Sequence, residues 1–84
     1  MTYEVLFSDI ALKQLRKLDT KIRERIIATL ERIRIRPEVY LKKLVGDEGY
    51  RLRVGDYRVV VDLDKERLII LVLKMGHRRN VYGH

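Results

Sequence analysis

The hydrophobic period of this chain switches in mid-sequence: apolar residues recur at three- and four-residue intervals from Ala11 to Ile33 and alternate from Tyr50 onward. A chain with that switch folds as a helical half packed on a sheet half. In the second half, Gly55-Asp56 lies between Arg51-Leu52-Arg53-Val54 and Tyr57-Arg58-Val59-Val60-Val61, which is the signature of a hairpin closed by a two-residue turn. Asp64 and Lys65 centre a further turn, and the apolar run from Leu68 to Leu73 reads as a central strand buried on both sides.

Upstream, Tyr3, Val5 and Phe7 alternate with Thr2, Glu4 and Leu6, which predicts an opening strand. Ser8 is placed to cap a short helix with Asp9 in its first turn, carrying Ala11, Leu15 and Leu18 at helical spacing. Asp19 or Thr20 caps a second helix, whose stripe of Ile22, Ile26, Ile27, Leu30 and Ile33 lies opposite Arg23, Arg25, Arg32 and Arg34. Pro37 is expected to stop that helix, because proline lacks the backbone donor and disfavours helical geometry at Arg36. Glu38 to Gly49 reads as an irregular connection. The expected fold is α+β: an N-terminal strand, a two-helix hairpin, then three antiparallel strands, in one sheet with the helices on one face.

Composition limits what such a fold can do. With 84 residues there is apolar volume for one core, so residues 1–84 are expected to form a single domain. There is no cysteine and no basic-then-apolar leader, so the expected compartment is the cytoplasm. The longest apolar run falls far short of the roughly 20 residues of a membrane-spanning helix, and no membrane partner is expected. Nineteen Lys and Arg against twelve Asp and Glu leave a charge of +7, which favours a polyanionic partner. Charged residues make up 37% of the chain, a balance also seen in proteins from hot environments, so part of that charge needs no functional explanation.

The two-residue turn sets a register: Val54 opposite Tyr57, Arg53 opposite Arg58, Leu52 opposite Val59 and Arg51 opposite Val60. Alternation then puts Arg51, Arg53 and Arg58 on one face and Leu52, Val54, Tyr57, Val59 and Val61 on the core face. Like charges directly across a ladder cost roughly 0.2–1 kcal/mol, so Arg53 facing Arg58 has no obvious stability motive, and an anion would relieve it. A guanidinium suits phosphate, since its planar fork donates paired hydrogen bonds and keeps its charge. The alternative is a solvated charged face, or ion pairs with Asp62 and Glu48.

The segment Lys74-Met75-Gly76-His77-Arg78-Arg79-Asn80-Val81-Tyr82 carries cations, a histidine and a tyrosine with no acid, and is expected to leave the last strand as the edge of a site. Lys74, His77 and Arg79 are candidate RNA contacts. Tyr82 is suited to stack on a base or to move a proton, or else covers the sheet end. His77 has the side chain best suited to proton transfer near neutral pH, although a lone histidine at a strand end is more often a surface residue. His77 and His84 lack the close companions of a metal site, no phosphate-binding glycine loop is present, and Ser8, the sole serine, is taken by its helix. Metal-free phosphate chemistry, or binding alone, remains, with no cofactor expected.

The element order, together with Tyr50-Arg51-Leu52-Arg53, Gly55-Asp56-Tyr57-Arg58-Val59-Val60 and Gly76-His77-Arg78-Arg79-Asn80-Val81-Tyr82, resembles the RelE/ParE toxins of prokaryotic toxin-antitoxin pairs over nearly the whole chain. The resemblance implies a RelE-like fold and, for the RelE branch, a toxin that enters the A site of the 70S ribosome. There it would cleave mRNA by attack of the 2′-hydroxyl without metal. It implies catalytic roles for Arg51 and Arg53 as the basic pair, Arg58 as the phosphate-stabilising arginine, Arg78 as the basic proton donor and Tyr82 as the stacking tyrosine. Well-known bacterial members carry lysine where this chain has Arg51 and Arg53, and arginine hardly deprotonates, so the general base stays unassigned. Many relatives also continue into a helix beyond the terminal tyrosine. A RelB-like antitoxin that covers the basic face is the implied partner. The ParE branch shares the fold and inhibits DNA gyrase by binding, and a non-catalytic basic module is a third possibility.

Overall fold

The computed structural model describes residues 2–44, 46, 49–77 and 79. Strand β1 (Glu4–Phe7) leads into helices α1 (Asp9–Lys17) and α2 (Thr20–Arg32), a single-turn helix α3 (Pro37–Tyr40) and a short strand β2 (Lys42–Lys43). Strands β3 (Tyr50–Val54), β4 (Tyr57–Asp64) and β5 (Ile69–His77) follow. All five strands form one sheet in the order β1-β5-β4-β3-β2, in which β1 runs parallel to β5 and every other pair is antiparallel.

Local chemistry explains the helix ends. The Ser8 hydroxyl oxygen accepts the Ala11 N–H at 3.0 Å and so caps α1. Asp19, rather than Thr20, caps α2, accepting from the Lys21 N–H at 3.3 Å. Pro37 does not stop α2, which already ends at Arg32 with Ile33 as its cap. Arg34 terminates it instead: its backbone C=O accepts from the Tyr3 N–H and its Nε donates to the Tyr3 C=O, both at 2.8 Å, which ties the helix end to the entry of β1. Pro37 starts α3, where its missing N–H costs nothing.

Ile26, Leu30, Ile33, Val59, Val61, Ile70 and Val72 form the fully buried centre between helices and sheet, each contributing about 1.5–3 kcal/mol by leaving water. Ile27, expected in this stripe, is 41% exposed because it sits at the rim of α2 beyond the sheet edge strand β1. The last strand also differs from expectation. It lies inside the sheet, yet only Ile70 and Val72 of its apolar run are buried, while Ile69, Leu71 and Leu73 are half-buried on the face the helices leave open. It also continues through Lys74–His77, so the basic segment begins within the strand.

A bulge decides what that continuation presents. Val61 pairs with Val72 and Val60 with Lys74, so Leu73 has no partner on β4. Core residues therefore follow as Ile70, Val72 and then Met75, a three-residue step in a strand of period two. Without the extra residue Lys74 and Gly76 would point at the helices. Helix α1 satisfies the backbone groups around the irregularity: the Ser8 hydroxyl donates to the Leu73 C=O and the Met75 N–H donates to Gln14 Oε1, both at 2.7 Å.

Candidate nucleic-acid interface

The hairpin register expected from the Gly55-Asp56 turn is observed, with Arg53 opposite Arg58 and Arg51 opposite Val60. Because Leu52, Val54, Val59 and Val61 are buried under the helices, the three arginines share the open face. Ladder pairing extends this into a transverse row of Lys42, Arg51, Val60 and Lys74 across four strands. A second row runs Arg53, Arg58, Gly76, so no side chain stands on β5 opposite Arg58. Val60, though on the open face, is 3% exposed, and its ladder neighbours are the long aliphatic stems of Arg51 and Lys74.

Tyr40, Lys42, Arg51, Arg53 and Arg58 line a shallow cleft of about 100 Å³ on this face. Arg51 and Arg58 are half-buried, and Arg53, Lys42 and Lys74 are exposed. Among the described residues no carboxylate lines the cleft, and neither Arg51 nor Arg53 is ion-paired. The Asp62 carboxylate accepts from the Leu63 N–H instead, at 2.9 Å. Four cations around a cavity of that size form a site for an anion with several acceptor oxygens, and a phosphodiester meets that description.

Of the other residues singled out in the sequence, Lys74 lies on the same face, one strand beyond the cleft. His77 does not: it pairs with Tyr57 and shares that residue's core-side face, the rings meeting edge to face at 5.6 Å and 78°. The bulge is the cause, since it shifts the parity of every residue after Leu73. Arg79 is exposed just past the strand, and its N–H donates to His77 Nδ1 at 3.4 Å. Arg78 and Tyr82 lie outside the described residues. Tyr40 and Lys42 were missed, because both sit in the stretch expected to be irregular. The available signal was Pro37 as a helix starter and the alternation of Leu41 with its polar neighbours.

A family model described as the ParE toxin of the type II toxin-antitoxin system parDE matches residues 5–82. The chain belongs to this toxin family. Its sequence is 32% identical over 81 residues to the mRNA interferase toxin RelE of Escherichia coli strain K12, covering 93% of this chain and 85% of that one. Among solved structures, the Mycobacterium tuberculosis toxin-antitoxin complex RelBE2 contains a chain that superposes with a TM-score of 0.85 at 26% identity, over 93% of this chain and 100% of that one. The intact E. coli RelBE toxin-antitoxin complex gives a TM-score of 0.75 at 31% identity, over 89% and 95%. This toxin is therefore of the RelE type in fold, and its basic cleft lies on the sheet face away from the helical hairpin. Among its described residues no helix is long and apolar enough to cross a membrane.

Proposed function

We infer that this toxin is an mRNA interferase: a ribosome-dependent endoribonuclease that cuts mRNA in the A site and thereby stops translation. The observation that carries this reading is the convergence of Lys42, Arg51, Arg53 and Arg58 on one cleft of the open sheet face. The 2′-oxygen attacks the adjacent phosphorus as its proton leaves, the bond to the 5′-oxygen breaks, and that oxygen takes up a proton. The products are a 2′,3′-cyclic phosphate and a 5′-hydroxyl end, and no metal is required. Charge accumulates on the phosphorane oxygens, and preorganised cations stabilise it. Arg58 is central to this role because Arg53 flanks it on one side and the side-chain-free Gly76 leaves room on the other. Arg51 and Arg53 hold the phosphates on either side of the cut, with Arg78 as proton donor and Tyr82 as a stacking residue. The ribosome fixes the codon for in-line attack, so free RNA is a poor substrate. A RelB-like antitoxin neutralises the toxin by covering this face.

Primer extension on an mRNA incubated with the toxin, with and without programmed 70S ribosomes, tests the reading. New ends that need ribosomes are expected for the wild type, and Arg58→Ala is expected to lower their yield about 100-fold or more. The family description favours a second reading, inhibition of DNA gyrase. Absence of ribosome-dependent ends, together with inhibited supercoiling by purified gyrase, would replace the first reading with the second.

A further inference from the structure

The chain has five tyrosines, and the placements of the four described ones, Tyr3, Tyr40, Tyr50 and Tyr57, differ sharply. Tyr3 belongs to the core, and Tyr50 and Tyr57 pack against it. Tyr40 has no such role: it is 46% exposed and stands at the wall of the basic cleft. Its position follows from the shortness of α3. Pro37 is fully buried at one end and Leu41 is 7% exposed at the other, and the Leu41 N–H closes the turn on the Pro37 C=O at 3.0 Å. With both ends anchored inward, the single turn between them holds Tyr40 out, and β2 then sets Lys42 against Arg51.

We propose that Tyr40 is a nucleobase-stacking platform for single-stranded RNA at the β2 side of the cleft. An exposed ring beside a track of cations is the arrangement by which proteins hold single strands: the cations neutralise the backbone and the ring takes the face of a base. Here the cations are Lys42, Arg51, Arg53 and Arg58, and the ring is Tyr40. A stacked base fixes the rotation of its own nucleotide and so restricts the phosphate beside it, which is what a reaction requiring in-line geometry needs. The inference rests on the reading of the cleft as an RNA site and adds the contact that orients the strand within it.

The chain has no tryptophan, so Tyr40→Trp creates a single indole, excitable apart from the remaining tyrosines, at the position in question. Titration of that variant with a short RNA carrying a 2′-O-methyl group at each sugar, and with the matching 2′-O-methyl oligomer in which the bases are abasic, reads stacking without cleavage. Quenching by the first and not by the second is the expected result. Equal responses to both, or quenching only by an acidic helical peptide, would overturn the proposal and assign Tyr40 to a protein interface. In ribosome-dependent cleavage, Tyr40→Ala is expected to lose about tenfold or more, and Tyr40→Phe to recover most of that loss, with native circular dichroism in both. A wild type that cuts while Tyr40→Ala cuts equally well removes Tyr40 alone. A wild type that never cuts, while the indole emission of the Tyr40→Trp variant still reports the bases, removes the nuclease reading and keeps the stacking platform.

Discussion

Replacing Gln14 with alanine removes the acceptor of the Met75 N–H at the point where β5 takes up its extra residue. That bond is 2.7 Å long and partly buried, and Met75 itself is 2% exposed, so water reaches the vacated donor poorly. Leaving such a group unmade costs about 1–3 kcal/mol. Alanine is the better helix former, which returns a few tenths of a kcal/mol within α1. The expected net loss is about 1–2 kcal/mol, and for a domain of this size each kcal/mol lowers Tm by roughly 4–8 °C. Urea unfolding followed by circular dichroism measures the loss. Amide exchange at Met75 localises it, because that proton is expected to exchange faster by more than the global change. Gln14→Glu keeps an acceptor oxygen at the same reach and is expected to stay near wild-type stability. If Gln14→Ala costs less than about 0.5 kcal/mol, or if the glutamate variant is as damaged as the alanine one, the Gln14 amide has no part in holding the bulge, and of the two contacts from α1 only the Ser8 hydroxyl on the Leu73 C=O remains to direct Lys74 to the open face.

Ile26 is fully buried at the helix-sheet contact, so Ile26→Ala is expected to cost about 2–5 kcal/mol in urea unfolding. Gly55 has φ +60 in the hairpin turn, and an added Cβ would also meet the Arg25 guanidinium at 3.1 Å. Gly55→Ala is therefore expected to lose about 1–2 kcal/mol, with Gly55→Asn losing less, by the same unfolding assay. Lys42 stands on the edge strand and supplies charge to the cleft. Lys42→Ala is expected to weaken RNA binding about equally across sequences and to reduce the slope of log affinity against log salt by about one, measured by fluorescence anisotropy at several salt concentrations.

The hairpin and its arginines are legible in the sequence because a two-residue turn leaves one register open, and a period of two then assigns every face. Tyr40 and Lys42 are not legible in that way. Their elements span four and two residues, too short for a period to be counted, and β2 becomes a strand only because β3 offers it an edge. His77 fails for a different reason. Nothing between Leu68 and His77 announces an insertion, since any of several apolar residues would serve as the unpaired one. The choice is made by the hydrogen bond that Ser8 donates to Leu73 and the one that Gln14 accepts from Met75, across separations of 65 and 61 residues. A register slip of one residue reverses the faces of a strand. Helix α1 thus sends Lys74 to the basic side and His77 against Tyr57, so which residues of the last strand share the face of the cleft is decided by a helix on the opposite side of the sheet.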